Sequence, residues 1–171
     1  MITTSSSKPL LIFLVIGETA RAADFQLMGH SRQTNPQLSA INDLYRFTDM
    51  KSCGTSTAVS LPCIFSGSGR DEFDVAKERS RTNLLDTLSK NGVAVEWRDN
   101  NSGCKGICAR VQTVAMQPAM APSLCGQDYC HDEVLLAGLS ESITKKSTDQ
   151  LLVLHNICLL YTSPSPRDKR Q

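Results

Sequence analysis

The chain reads as an α/β protein with a largely parallel central sheet and disulfide-stapled loops. Three observations predict this. Apolar runs at residues 10–17 (LLIFLVIG), 93–97 (VAVEW) and 150–155 (QLLVLH) each give way to polar residues, as strands of a buried parallel sheet do. Helix signals lie between these runs, notably the hydroxyl-rich stretch SCGTSTAVS and the capped segment NLLDTLSK. Six of the seven cysteines fall in sequence-local pairs.

The run at residues 10–17 is uninterrupted and rich in branched side chains, which predicts a strand buried on both faces. It ends at Gly17-Glu18-Thr19. Ligands of open α/β sheets collect at the carboxyl ends of strands. Glu18 therefore reads either as a metal-binding carboxylate or as a first-turn helix acid, and the second is the commoner use of such a residue. Asn35-Pro36 is a turn signal opening a short helix over QLSAIND, and residues 44–50 are expected to form a short strand.

The stretch from Ser52 to Ser66 follows, with Thr55, Ser56, Thr57 and Ser60 packed ahead of an apolar turn. Hydroxyls so placed predict a helix start, where unpaired amides and the positive dipole end favour an anion. A hydroxyl there becomes a nucleophile toward phosphorus or sulfur if a metal lowers its pKa. Pro62 is expected to break this helix.

Residues 70–80 are charged and read as solvated. Thr82 or Asn83 caps a helix that Asn91-Gly92 ends, and Val93–Trp97 is the next strand. The polar loop Asp99 to Gly103 then leads into Cys104 and Cys108, and a disulfide there would fix the direction of Lys105. Residues 111–124 are expected to be irregular, and EVLLAGLSESI a single helix with acids in its first turn. His131 reads as part of that helix cap. A last strand runs from Gln150 to His155.

Charge and cysteine usage exclude some classes. Eighteen basic residues against seventeen acidic ones leave a net charge of +1 and no basic stripe, so nucleic acid is not an expected partner. Cys53 and Cys63, Cys104 and Cys108, and Cys125 and Cys130 are separated by nine, three and four residues, with Cys158 alone. Six cysteines allow about 15 connectivities, but local spacing favours neighbouring pairs over a structural zinc site of the C-x2-C type. Disulfides place the chain in an oxidising compartment. Residues 1–9 are polar and show no export signal, which implies that further sequence precedes them.

Long motifs, in order, carry a family resemblance: GETARAADFQLMGHSRQTNPQL, SCGTSTAVSLPCIFS, WRDNNSGCKGIC, CHDEVLLAGL and DQLLVLH. Together they resemble the lipid A phosphoethanolamine transferases of the colistin-resistance type, within the alkaline phosphatase and sulfatase superfamily. The resemblance spans residues 8–156 and implies the N-terminal part of a three-layer periplasmic catalytic domain. Residues 1–7 would be linker. Residues 157–171 would be a non-family tail, in which LLYTSPSPRD resembles translated sequencing-adapter sequence.

What the resemblance implies is specific. Thr57 matches the nucleophile and Glu18 a zinc ligand, with Thr57 also touching the zinc. Asn101, Ser102 and Lys105 match the pocket for the phosphoethanolamine group, where Lys105 would offset phosphate charge. The three cysteine pairs match family disulfides. The donor would be phosphatidylethanolamine, the acceptor lipid A, and the setting the bacterial inner membrane, reached through an N-terminal membrane domain, with the catalytic domain in the periplasm. Later zinc and active-site histidines of the family have no match here, and His155 does not replace them. Zinc binding by this chain is therefore expected to be weak and the chain inactive alone, since catalytic zinc usually has three protein ligands. Two other readings are a transferase with a different envelope glycan acceptor and a non-enzymatic anion-binding α/β module.

Overall fold

A computed structural model of the chain describes residues 8–126, 129–144 and 147–157. Four strands form one fully parallel sheet: β1 (Leu11–Ile16), β2 (Ala94–Asp99), β3 (Gln112–Ala115) and β4 (Gln150–His155), in the order β1-β4-β2-β3. The residues expected to be linker (1–7) and most of the expected tail (158–171) lie outside the described residues, as does Cys158.

All six residues of β4 are buried because it has a partner on each side. β1 is different. Among the described residues it pairs only with β4, and Leu11, Ile12, Phe13 and Val15 are exposed, which corrects the expectation of a strand buried on both faces. An apolar run reports affinity for a sheet, not a place inside it.

Strand register sorts the side chains onto two faces. Leu14 and Ile16 of β1, Val95 and Trp97 of β2, and Leu151 and Val153 of β4 share one face. They pack against Leu61 and Phe65 of helix α2 (Thr57–Phe65) and against Leu85 and Leu88 of α4 (Leu84–Lys90). Trp97 and Phe65 meet edge to face at 5.9 Å. The opposite face carries Glu96, Arg98, Leu152 and Leu154. Residues 132–144 are tied to it: Arg98 donates to the carbonyls of Leu135 and Ala137, and Gln150 to that of Ser142. Three layers result.

α4 begins as expected. Asn83 and Asp86 form a reciprocal capping box, and Asn83 also donates to the Ile107 carbonyl at 2.7 Å. Pro62 does not break its helix; α2 runs through it to Phe65. Pro62 is buried beside Leu61, and one lost amide bond is tolerated in a short helix anchored by its apolar face. The helix expected over residues 37–43 shortens to α1 (Pro36–Ser39), and residues 44–50 form no strand. Residues 70–80 contain the turn α3 (Val75–Glu78), capped by Asp74, and Glu78 is mostly buried where it accepts from Ser68 and Arg81.

Two further expectations change. Residues 112–115, expected irregular, supply the edge strand β3. The single helix expected over EVLLAGLSESI divides into a 3-10 turn, Asp132–Leu136, and α5 (Leu139–Thr144). The break falls at Gly138, in a left-handed conformation with φ 64°. Arg98 draws the Leu135 and Ala137 carbonyls away from helix bonding, which stops the helix there.

Candidate functional site

The parallel arrangement brings the carboxyl ends of β1, β2 and β4 to one edge of the sheet, where Glu18, Asp99 and His155 come together. Ile16, Asp99 and His155 occupy one row of the register. Glu18 follows in a turn whose next residue, Thr19, has φ 50°. The Glu18 side chain is only 12% exposed, and its Oε1 lies 3.6 Å from His155 Nε2.

His155 is wholly buried. Its Nδ1 lies 3.0 Å from Asp99 Oδ2, and the same oxygen accepts from the Trp97 indole at 2.8 Å. The Trp97 and His155 rings pack at 5.3 Å. His155 Nε2, facing Glu18, has no hydrogen-bond partner among the described residues. Sequence reasoning left His155 and Asp99 without a role. Their only signal was a polar residue closing an apolar strand.

Enclosure raises the Asp99 pKa, but hydrogen bonds from His155, Trp97 and the amides of Asn101 and Gly103 outweigh it. The balance falls from an ordinary 3.8 to about 2. The unfolded chain therefore takes up this proton before the folded one does. Stability from this group is complete above about pH 4 and is lost as pH falls toward 2, by about 2 kcal/mol. Urea midpoints taken between pH 5 and pH 2 should fall more steeply for the wild type than for Asp99→Asn. Parallel profiles would rule this out.

A helix does start within the hydroxyl-rich stretch, and Thr57 is its first residue. The amides of Val59 and Ser60 both return to the Ser56 carbonyl. Those of Thr57 and Ala58 have no partner among the described residues, and neither does the Thr57 hydroxyl. The turn before the helix is tight: a Cβ on Gly54 would meet Val59 Cγ1 at 2.9 Å. Cys53 is joined to Cys63, one bond closing the turn and the helix together.

Asn101, Ser102 and Lys105 lie in one loop after β2. Asn101 donates to the Asn156 carbonyl beyond β4 at 2.8 Å, joining two strand ends. Lys105 Nζ donates to both the carbonyl and the hydroxyl of Ser102, each at 2.7 Å. Gly103, Lys105 and Gly106 all have positive φ, of 83°, 54° and 94°. For Lys105 this is a strained conformation, held inside the ring that Cys104–Cys108 closes. Arg110 pairs with Asp86 and fixes the end of the loop to α4. The third bond, Cys125–Cys130, closes the loop ahead of His131. His131 takes the cap position expected of it, without a side-chain cap bond.

Two donors of a kind that a divalent cation takes face each other here: the shielded Glu18 carboxylate and the buried His155 imidazole nitrogen, which has no hydrogen-bond partner among the described residues. No group of three or more His, Cys, Asp or Glu suited to a metal occurs among the described residues. No helix among them is long and apolar enough to cross a membrane.

Comparison with known proteins places these features in context. Residues 11–157 match the family described as Sulfatase. The phosphoethanolamine transferase EptA of Escherichia coli K12 is 42% identical over 147 residues, covering 86% of this chain and 27% of that protein. The Escherichia coli phosphatidylethanolamine transferase Mcr-1 is 40% identical over 157 residues, covering 88% of this chain and 29% of that protein. Among solved structures, the integral membrane lipooligosaccharide phosphoethanolamine transferase A of Neisseria meningitidis aligns with TM-score 0.85 and 42% identity. That alignment covers 91% of this chain and 29% of the transferase. The chain thus spans less than a third of the length of the relatives it matches.

Proposed function

The chain belongs to the sulfatase family, and from that membership we propose that it carries the nucleophile half of a phosphoethanolamine transferase. The observation that carries the reading is Thr57: an unpartnered hydroxyl on the first residue of a helix, beside unpaired amides, in a segment shared with phosphoethanolamine transferases.

In the proposed reaction Thr57 Oγ attacks the phosphorus of phosphatidylethanolamine. A new O–P bond forms as the bond to the diacylglycerol oxygen breaks, and that oxygen leaves with a proton. A phosphate hydroxyl of lipid A then attacks the phosphorus, the bond from Thr57 Oγ to that phosphorus breaks, and the proton of the attacking hydroxyl restores the Thr57 hydroxyl. Glu18 and Thr57 would hold zinc, which when bound makes the Thr57 alkoxide accessible near neutral pH. The turn ending at Cys53–Cys63 holds the nucleophile in place. Lys105, stapled in its loop, would trade its Ser102 contacts for phosphate oxygens, with Asn101 and Ser102 lining the same pocket. The setting proposed is the periplasmic side of a bacterial inner membrane, where lipid A modification underlies polymyxin resistance.

The test uses the longer protein that contains this segment, expressed in a bacterium with unmodified lipid A. Mass spectrometry should show lipid A carrying added phosphoethanolamine. Unmodified lipid A at good expression would overturn the reading. The same product on core oligosaccharide or a periplasmic glucan instead would identify a different acceptor.

A further inference from the structure

We propose that His155 is a further ligand of the divalent cation held by Glu18, binding it through Nε2. The inference deepens the transferase reading and rests on it for the cation and for Glu18 as a ligand.

The ring is fixed first. Asp99 Oδ2 lies 3.0 Å from His155 Nδ1 and accepts from the Trp97 indole, while Oδ1 accepts from the amides of Asn101 and Gly103. An ionised carboxylate only accepts, so Nδ1 carries the ring proton that faces it. The lone pair is then left on Nε2. Histidines that bind metal are held in this way, the far ring nitrogen donating to a carboxylate.

That lone pair faces another acceptor. Nε2 has no hydrogen-bond partner among the described residues, and Glu18 Oε1 lies 3.6 Å away. The gap is too long for a hydrogen bond. Zinc bonds of about 2.0–2.1 Å to nitrogen and about 2.0–2.2 Å to oxygen put two ligand atoms of a tetrahedral ion about 3.4 Å apart. His155 is wholly buried and the Glu18 side chain is 12% exposed, so water screens the two little. No lysine or arginine among the described residues pairs with Glu18. Arg21, the nearest of these in sequence, is taken up by Asp24 at 2.9 Å. Two acceptors enclosed face to face lack a positive partner, and a cation between them supplies it. One imidazole with one carboxylate favours zinc over magnesium or calcium, which prefer oxygen ligands.

Histidine nitrogen NMR of the isotopically labelled 171-residue chain tests this, with zinc chloride as the probe. The chain has three histidines, His30, His131 and His155, so two serve as internal controls. His155 should show a proton on Nδ1 alone before zinc is added. Its Nε2 signal should then move at zinc levels that leave His30 and His131 unmoved, and magnesium should not move it. Asp99→Asn, which removes the acceptor behind the ring, should weaken the zinc response roughly 10–100-fold. Glu18→Gln, which removes a ligand outright, should weaken it at least as much. The inference fails if Nε2 of His155 carries a proton, or if zinc leaves His155 unmoved. It fails equally if magnesium moves the signal as far, or if Glu18→Gln takes zinc like the parent. Zinc binding breaks no bond to phosphorus. Zinc seen at His155, in a segment whose longer protein transfers nothing, therefore overturns the transferase reading alone. Transfer by the longer protein, with a His155 that ignores zinc, overturns this inference alone.

Discussion

Thr57→Ala in the longer protein is expected to abolish phosphoethanolamine transfer to lipid A, by on the order of 10,000-fold, because the atom that forms the covalent intermediate is gone. The change should cost little structurally. Thr57 is half-buried at the first position of α2, its hydroxyl bonds to nothing among the described residues, and alanine is a good helix former. Thr57→Ser keeps a hydroxyl at the same point and should retain measurable transfer. Mass spectrometry of lipid A separates the two variants. Transfer by the alanine variant at more than a few per cent of wild type would remove Thr57 from the chemistry. Phosphate affinity that survives Thr57→Ala, in a protein that never transfers, would favour the anion-binding module.

The largest stability effect is expected on the other face of the sheet. Arg98 and Glu96 form a buried pair at 2.7 Å, their side chains 4% and 1% exposed. Arg98 also donates to the Leu135 and Ala137 carbonyls, and Gln112 donates to the second Glu96 oxygen. Arg98→Ala strands a carboxylate in the interior and leaves two carbonyls without that donor, which should cost about 3–5 kcal/mol. Glu96→Leu/Arg98→Met removes both charges at similar volume and should recover most of that loss. Urea denaturation of the three proteins measures it. A double variant as unstable as Arg98→Ala would show that the pair itself, and not the uncompensated charge, carries the stability.

The same pair shows why parts of the fold were not legible in the sequence. The apolar, acid-led stretch EVLLAGLSESI has the pattern of one helix, and its division at Gly138 depends on an arginine about forty residues earlier in the chain. Pro62 inside α2 is a comparable case. A local rule predicts a break, and burial of Leu61 and Phe65 against Trp97 overrides it. β3 was missed because Gln112–Ala115 is short and only partly apolar, and its pairing with β2 makes it a strand.

Locally encoded features were legible in the sequence alone. These were the α/β class, the strands at the three apolar runs, a helix cap at Thr82 or Asn83, a helix start within the hydroxyl-rich stretch and the three neighbouring cysteine pairs. Each depends on residues within about a dozen positions of one another, where propensity, capping and loop closure act directly. Only the tertiary structure decided that β1 lies at the sheet edge and that His155 faces Glu18 across 3.6 Å while bound to Asp99. Those relations join strand ends more than fifty residues apart. Sheet order and register set them, and no local pattern encodes either one.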